Sequence, residues 1–160
     1  MKNNKIFTDV WDVNEKKLSI ADAVNFVSQS QNGAINLFVG TVRELNQGKK
    51  VLSVSYDIFE PLAKRSFLEI AEKTQKKWGG DHSDELFIYL VHGKGKVLVG
   101  DLSVVIAVGS IHRDEAFCAN RYIIEQVKHR CPIWKLENYA DGTSIWSKGC
   151  ELCGDSDKNG

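Results

Sequence analysis

The 160-residue chain predicts an α+β fold, with a mixed, mainly antiparallel sheet and about three helices. Three observations carry that reading. Apolar residues recur at helical spacing over three stretches, near 19–30, 60–78 and 113–130. Strand-like stretches also follow one another directly, at 86–91, 97–99 and 102–108, whereas a doubly wound parallel sheet needs a helix after each strand. Finally, Gly100-Asp101 between two apolar strands reads as a hairpin turn.

In chain order, Ile6 to Glu15, with Trp11 and Val13, reads as a short edge strand. Ser19 with Asp22 three residues later is an N-cap signature. The helix it opens runs to about Ser30, with Ile20, Ala23, Val24 and Val27 on one face, and Asn32-Gly33 ends it. Ala34 to Val39 is an almost uninterrupted apolar run, expected as a strand buried on both faces. Gly40 to Lys50 reads as a polar loop carrying Arg43. Val54, Tyr56 and Ile58 alternate with Ser53, Ser55 and Asp57, the period of a half-buried strand. Glu60-Pro61 opens the second helix with proline in its first turn. Ala63, Phe67, Ile70, Ala71 and Thr74 form its inner face, and Trp78-Gly79-Gly80 closes it. Leu86 to Val91 is the next strand, and His92-Gly93-Lys94-Gly95-Lys96 reads as a turn before the hairpin of 97–99 and 102–108. The third helix spans Arg113 to Arg130, with Ala116, Phe117, Asn120, Ile123, Ile124 and Val127 inward. Pro132 then stops it, because proline donates no backbone hydrogen bond and biases Cys131 away from helical angles. Ile133 to Tyr139 is expected as the final strand, closing a single domain over 1–149 ahead of a flexible polar tail, 150–160.

Composition narrows the function classes. Twenty-one basic and twenty-one acidic residues cancel, so no global field recruits nucleic acid or an anionic membrane. A nucleic-acid binder built on Arg43 and Lys49-Lys50 would also lack a base-stacking signature. No apolar run of about 18 residues and no charged-then-apolar leader is present, so a cytoplasmic, non-membrane protein is expected. The four cysteines are too few and too unevenly placed for a disulfide framework. Cys150-x-x-Cys153 lacks the second ligand pair a zinc site needs, so no metal or cofactor is expected. Gly93-Lys94-Gly95-Lys96 is too short for a phosphate-cradling loop, and no Ser or Thr follows its lysine.

The chemistry-bearing residues gather at element ends. Lys128-His129-Arg130-Cys131-Pro132-Ile133-Trp134-Lys135 forms a corner with one lysine on each arm. Lys128 alone would serve to complement a helix C-terminus, and Lys135 alone would be the outward residue of a strand. Placed together, two ammonium groups depress each other's pKa and become competent proton donors and acceptors near neutral pH. His112-Arg113 begins a helix, where free N–H groups already favour an anion. Arg113 and Lys128 lie fifteen positions apart on that helix, or roughly 22 Å at the helical rise. They cannot grip one small ligand within a protomer, so either they serve different purposes or two copies share a site.

Four stretches together resemble the large, catalytic subunit of molybdopterin synthase: Gly33-Ala34 through Phe38-Val39-Gly40-Thr41-Val42-Arg43, Tyr56 to Ala63, Ser110-Ile111-His112-Arg113 with Ala116-Phe117, and Lys128 to Lys135. They cover roughly Gly33 to Trp146 in the family's order. The resemblance implies an α/β-hammerhead fold and a homodimer within a heterotetramer. It also implies a small ubiquitin-like sulfur-carrier subunit, whose C-terminal Gly-Gly thiocarboxylate gives sulfur to cyclic pyranopterin monophosphate. By resemblance Lys128 and Lys135 are catalytic. The implied substrate-binding set is Thr41, Val42, Arg43, His112, Arg113, Lys128, Lys135, Leu136 and Glu137, with Phe38 in the pocket wall and the His112-Arg113 pair given by the neighbouring protomer. The chain departs from the family at His92-Gly93-Lys94-Gly95, where His-Arg-x-Gly is usual. It departs again near Lys148 and Cys150, where some members carry an arginine. The alternative the residues leave open is a non-catalytic module that docks a ubiquitin-like partner or a phosphate ester.

Overall fold

Local signals set most element boundaries in the computed structural model, which describes residues 3–80 and 86–148. The elements are β1 (Ile6–Asp12), α1 (Ile20–Val27), β2 (Ala34–Thr41), β3 (Leu45–Asn46), β4 (Lys49–Ile58), α2 (Glu60–Trp78), β5 (Phe87–Leu98), β6 (Leu102–Ser110), α3 (Arg113–Arg130), β7 (Ile133–Tyr139) and β8 (Ser144–Lys148). The Ser19 hydroxyl accepts the Asp22 N–H at 3.1 Å, which starts α1 where the cap signature put it. This helix stops at Val27, before the expected Ser30, because the Asn32 side chain donates to the Val27 carbonyl at 3.0 Å. That bond satisfies an orphan carbonyl the next turn would otherwise have used. Glu60-Pro61 opens α2 and Pro132 follows the last residues of α3, as expected.

The strands form one eight-stranded sheet in the order β2-β6-β5-β4-β7-β8, with β1 added to β5 and β3 to β4. Every ladder is antiparallel except β1 with β5. β5 is shared by two half-sheets: its first part lies between β1 and β6, and its second part pairs with β4. Side-chain alternation assigns its faces. Phe87, Tyr89 and Val91 pack with Val105 and Ala107 against Ala23 and Val27 of α1. Ile88 and Leu90 pack with Val104, Ile106 and Val108 against Phe67 and Ile70 of α2 and Ile123 and Val127 of α3. Among the described residues, no helix is long and apolar enough to cross a membrane.

Five expectations need correction. His92 to Lys96 is not a turn: β5 runs unbroken from Phe87 to Leu98. Its glycines serve as points of close approach, since a Cβ on Gly93 would sit 2.8 Å from Val13 Cγ1, and Gly95 adopts φ +102° where the strand changes neighbours. The loop of 40–50 contains β3 and a hairpin whose turn, Gln47-Gly48, has φ of 51° and 77°, so β4 starts at Lys49. β2 is not buried on both faces. It is the sheet's edge, and Ile35, Leu37 and Phe38 are 44%, 36% and 37% exposed. Phe117 of α3, expected inward, is exposed. β7 is not the last strand, because Tyr139 turns through Asp141-Gly142 into β8. The tail and Cys150 and Cys153 lie outside the described residues.

Close packing at Gly109 joins α1 to the sheet: a Cβ there would lie 2.5 Å from the Val27 carbonyl oxygen and 2.6 Å from Asn32 Nδ2. Gly109→Ala is expected to destabilise the fold by roughly 1–3 kcal/mol, the scale of an overpacked core. Gly48→Ala meets no atom within 4 Å and strains only its φ of +77°, costing about 1–2 kcal/mol. Urea unfolding of the two variants measures both, and a neutral Gly109→Ala would contradict this packing.

Candidate active site

Lys128 and Lys135 converge. Lys128 stands on the last turn of α3 and Lys135 on β7, and both line one small cavity of about 10 Å³ with Tyr56, His92 and Cys131. Two structural features bring them there. The Val127 face of α3 is buried against the sheet, which fixes the helix end. Beyond the Pro132 corner, β7 pairs with β4 in a register that sets Lys135 opposite Tyr56. A second hollow, of about 60 Å³, is lined by Thr41, Val42, Arg43, Asn46, Tyr56, Lys135 and Glu137 among others. Tyr56 and Lys135 border both hollows, so the two adjoin. A larger hollow of about 300 Å³ lies elsewhere, between Val13-Leu18 and the β5–β6 turn. Its ionisable side chains, Lys17, Lys96 and Asp101, are all exposed.

The floor of the second hollow is a polar network. The Glu137 carboxylate accepts from the Tyr139 hydroxyl at 2.5 Å and from Asn46 Nδ2 at 2.6 Å, and its other oxygen lies 3.8 Å from Lys135 Nζ. Lys135 and Glu137, two apart on a strand, share a face. The bond to Glu137, and burial after it, push the Tyr139 phenol above its ordinary pKa, so it stays a donor. Burial also raises the Tyr56 phenol, against a hydrogen bond with Ser103, and the Glu137 charge adds to the rise. Burial pushes the Cys131 thiol up to about 12 in spite of Arg130 nearby. Such a thiol is no nucleophile at neutral pH.

His92 is the most deeply buried titratable group of the site. It is 1% exposed, and burial lowers its pKa to about 4, with Lys128's charge adding to the effect against the bond to Gly93. The ring is therefore neutral at physiological pH. Its Nδ1 lies 2.9 Å from the Gly93 carbonyl, and Tyr56 meets it edge-on at 5.1 Å between ring centroids. It is not in a turn, the setting the glycine-rich context suggested.

The other expected residues fall in three places. Thr41, Val42, Arg43 and Glu137 line the second hollow. Leu136 alternates to the opposite face of β7, and Phe38 lies on the edge strand β2; neither lines the two hollows. His112 and Arg113 open α3 at the end remote from Lys128, both exposed. Sequence reasoning passed over Tyr56, His92, Asn46 and Tyr139. Period two carried a partial signal for two of them: it puts His92 on the same face of β5 as Ile88 and Leu90, though it does not place it at the cavity, and joins Tyr139 to Lys135 and Glu137 on β7. Among the described residues, no three His, Cys, Asp or Glu side chains are grouped to hold a metal ion.

The His92 shift makes stability pH-dependent. The unfolded chain takes up the proton below about 6.5 and the native chain only near 4, so native stability is full above pH 6.5 and declines as the pH falls toward 4. Between pH 7 and pH 5 wild type should lose roughly 2 kcal/mol more than His92→Gln. Denaturant titrations of both proteins at the two pH values measure this, and equal losses would contradict a buried neutral imidazole.

With this geometry established, comparison with known proteins gives a consistent outcome. The family model described as MoaE protein matches residues 13–130. The molybdopterin synthase catalytic subunit of Synechococcus elongatus is 44% identical over 136 residues, 85% of this chain and 80% of that one. The human molybdopterin synthase catalytic subunit is 37% identical over 145 residues, 91% of this chain and 73% of that one. Among solved structures, molybdopterin synthase from Staphylococcus aureus superposes with a TM-score of 0.78 at 31% identity, covering 87% of this chain and 95% of that one. A Helicobacter pylori chain, from a complex of subunits 1 and 2 of molybdopterin-converting factor, shares the fold with a TM-score of 0.66 at 24% identity and 90% coverage of each chain. Two lysines meeting across a proline corner, on a hammerhead of this topology, thus belong to a chain of the MoaE family, the catalytic subunits of molybdopterin synthase in molybdenum cofactor biosynthesis.

Proposed function

We propose that this chain takes sulfur from the C-terminal thiocarboxylate of a small ubiquitin-like subunit and transfers it to cyclic pyranopterin monophosphate, forming the dithiolene of molybdopterin in two transfers. The observation that carries the reading is the convergence of Lys128 and Lys135 on one hollow, joined through Tyr56 and Lys135 to a second that Arg43 borders. Thiocarboxylate and phosphate ester are both anions, and bringing them together needs positive charge already in place. Lys128 sits on the narrow hollow and is assigned to hold and polarise the thiocarboxylate. Lys135 borders the wider hollow and is assigned proton transfer on the pterin side chain, with Glu137 at 3.8 Å as its neighbouring acceptor. Cys131 carries no sulfur in this scheme, since its buried thiol stays protonated.

A second copy of the chain completes the pocket in this reading. His112 and Arg113 stand about 22 Å from Lys128 along α3, too far to serve the same protomer's hollow. The apolar edge of β2, next to the helix α3 on which Phe117 is exposed, suits pairing of two chains on that side. Residues 1–149 then act as one domain, and each protomer carries one small subunit in this reading; the Helicobacter pylori chain of the same fold comes from a complex of subunits 1 and 2. Cytoplasmic placement suits the free thiols Cys118 and Cys131.

The test mixes the purified chain with a thiocarboxylated ubiquitin-like subunit and cyclic pyranopterin monophosphate, and assays molybdopterin. Wild type should form it. Lys128→Ala and Lys135→Ala should each lose at least about 100-fold in rate, the scale of a missing acid or base, with melting temperature and small-subunit affinity unchanged. Full activity in either variant would defeat the assignment of the pair.

A further inference from the structure

The site contains a buried base that the proposed chemistry leaves without a task. His92 lies at the middle of β5, on the face that packs against α3, and lines the narrow cavity together with Lys128 and Lys135. Its Nδ1 faces the Gly93 carbonyl at 2.9 Å. A carbonyl only accepts, so Nδ1 must carry the hydrogen. In a neutral ring Nε2 is then a bare lone pair, fixed in direction by that bond and by the edge-on contact with Tyr56. The cavity, at about 10 Å³, admits at most one water. The donors lining it with a positive charge are Lys128 and Lys135, and Lys128's charge is the one that bears on the His92 ring.

We propose that His92 is a positioning residue for Lys128: its Nε2 accepts a hydrogen bond from the Lys128 ammonium, directly or through one water, and so aims that ammonium at the thiocarboxylate. A lysine side chain has four rotatable bonds and loses much rotamer freedom when held in place. A neutral acceptor on a rigid central strand holds the head group without neutralising it, which a carboxylate in the same place would do. Burial of the ring keeps it neutral, so the acceptor is present across the whole physiological range. The same need accounts for Gly93: a Cβ there would crowd Val13 and Leu18 and displace the carbonyl that fixes the ring.

This inference rests on Lys128 acting in catalysis, and the experiment separates the two. His92→Asn keeps a donor at the Nδ1 position and loses the acceptor at Nε2, while His92→Gln can return an acceptor near the Nε2 position. With the thiocarboxylated small subunit and cyclic pyranopterin monophosphate, His92→Asn should lose roughly 10- to 100-fold in kcat, the scale of a misplaced catalytic group. KM and small-subunit affinity should stay near wild type, and His92→Gln should recover most of the loss. Equal activity in His92→Asn and wild type, or equal loss in Asn and Gln variants, would overturn the positioning role. Activity retained by Lys128→Ala would instead overturn the catalytic assignment of Lys128, and the role of His92 with it. A reading that does not depend on how the His92 variants fold comes from imidazole ¹⁵N spectra at neutral pH. Wild type should show a protonated Nδ1 and a hydrogen-bonded, unprotonated Nε2, whose resonance shifts downfield in Lys128→Ala. An Nε2 resonance indifferent to Lys128→Ala would overturn the proposal.

Discussion

The site depends on one pairing, the antiparallel ladder of β4 with β7. Tyr56 lies opposite Lys135 and Val54 opposite Glu137, so a slip of one residue would turn both charged groups to the far face of the sheet. The ladder begins immediately after the Pro132 corner, and the corner hangs from a helix whose Val127 and Ile123 are fully buried. Lys128 therefore inherits its position from the core, and Lys135 from the register. Neither lysine relies on a loop.

Charge in the site is handled asymmetrically. The cations stay near the surface of the hollows, while the groups beneath them are kept from competing for charge. His92 is held neutral, the Tyr56 and Tyr139 phenols are held protonated, and the Cys131 thiol is held inert. The buried carboxylate of Glu137 is satisfied by a phenol and an amide before it meets Lys135. Because a chain with no net charge cannot attract anions globally, the proposed capture of anions falls to this local arrangement.

Much of this was legible in the sequence where local chemistry decides structure. Ser19, Pro61 and Pro132 marked three helix ends, and α2 and α3 fell where their apolar spacing put them. The misses were decided by neighbours distant in sequence. His92-Gly93-Lys94-Gly95-Lys96 has the composition of a turn, yet ladders to β1, β6 and β4 hold it extended. The apolar run of β2 reads as buried on both faces, but topology places it at an edge, which composition cannot reveal. Lys128 and Lys135 were evident as a pair because they flank a proline. His92 and Tyr56 were not, since only the register of β5 and β4 brings them to the same cavity.

The central claim is spatial: two ammonium groups from opposite arms of a corner attend a single reacting group. A crystal structure of the chain with the small subunit's C-terminal tail in place tests it most directly. The account predicts the terminal carboxyl or thiocarboxylate within hydrogen-bonding reach, about 3 Å, of both Lys128 Nζ and Lys135 Nζ or of one with the substrate against the other. A tail that ends outside the hollow, or lysines directed to separate faces, would contradict it.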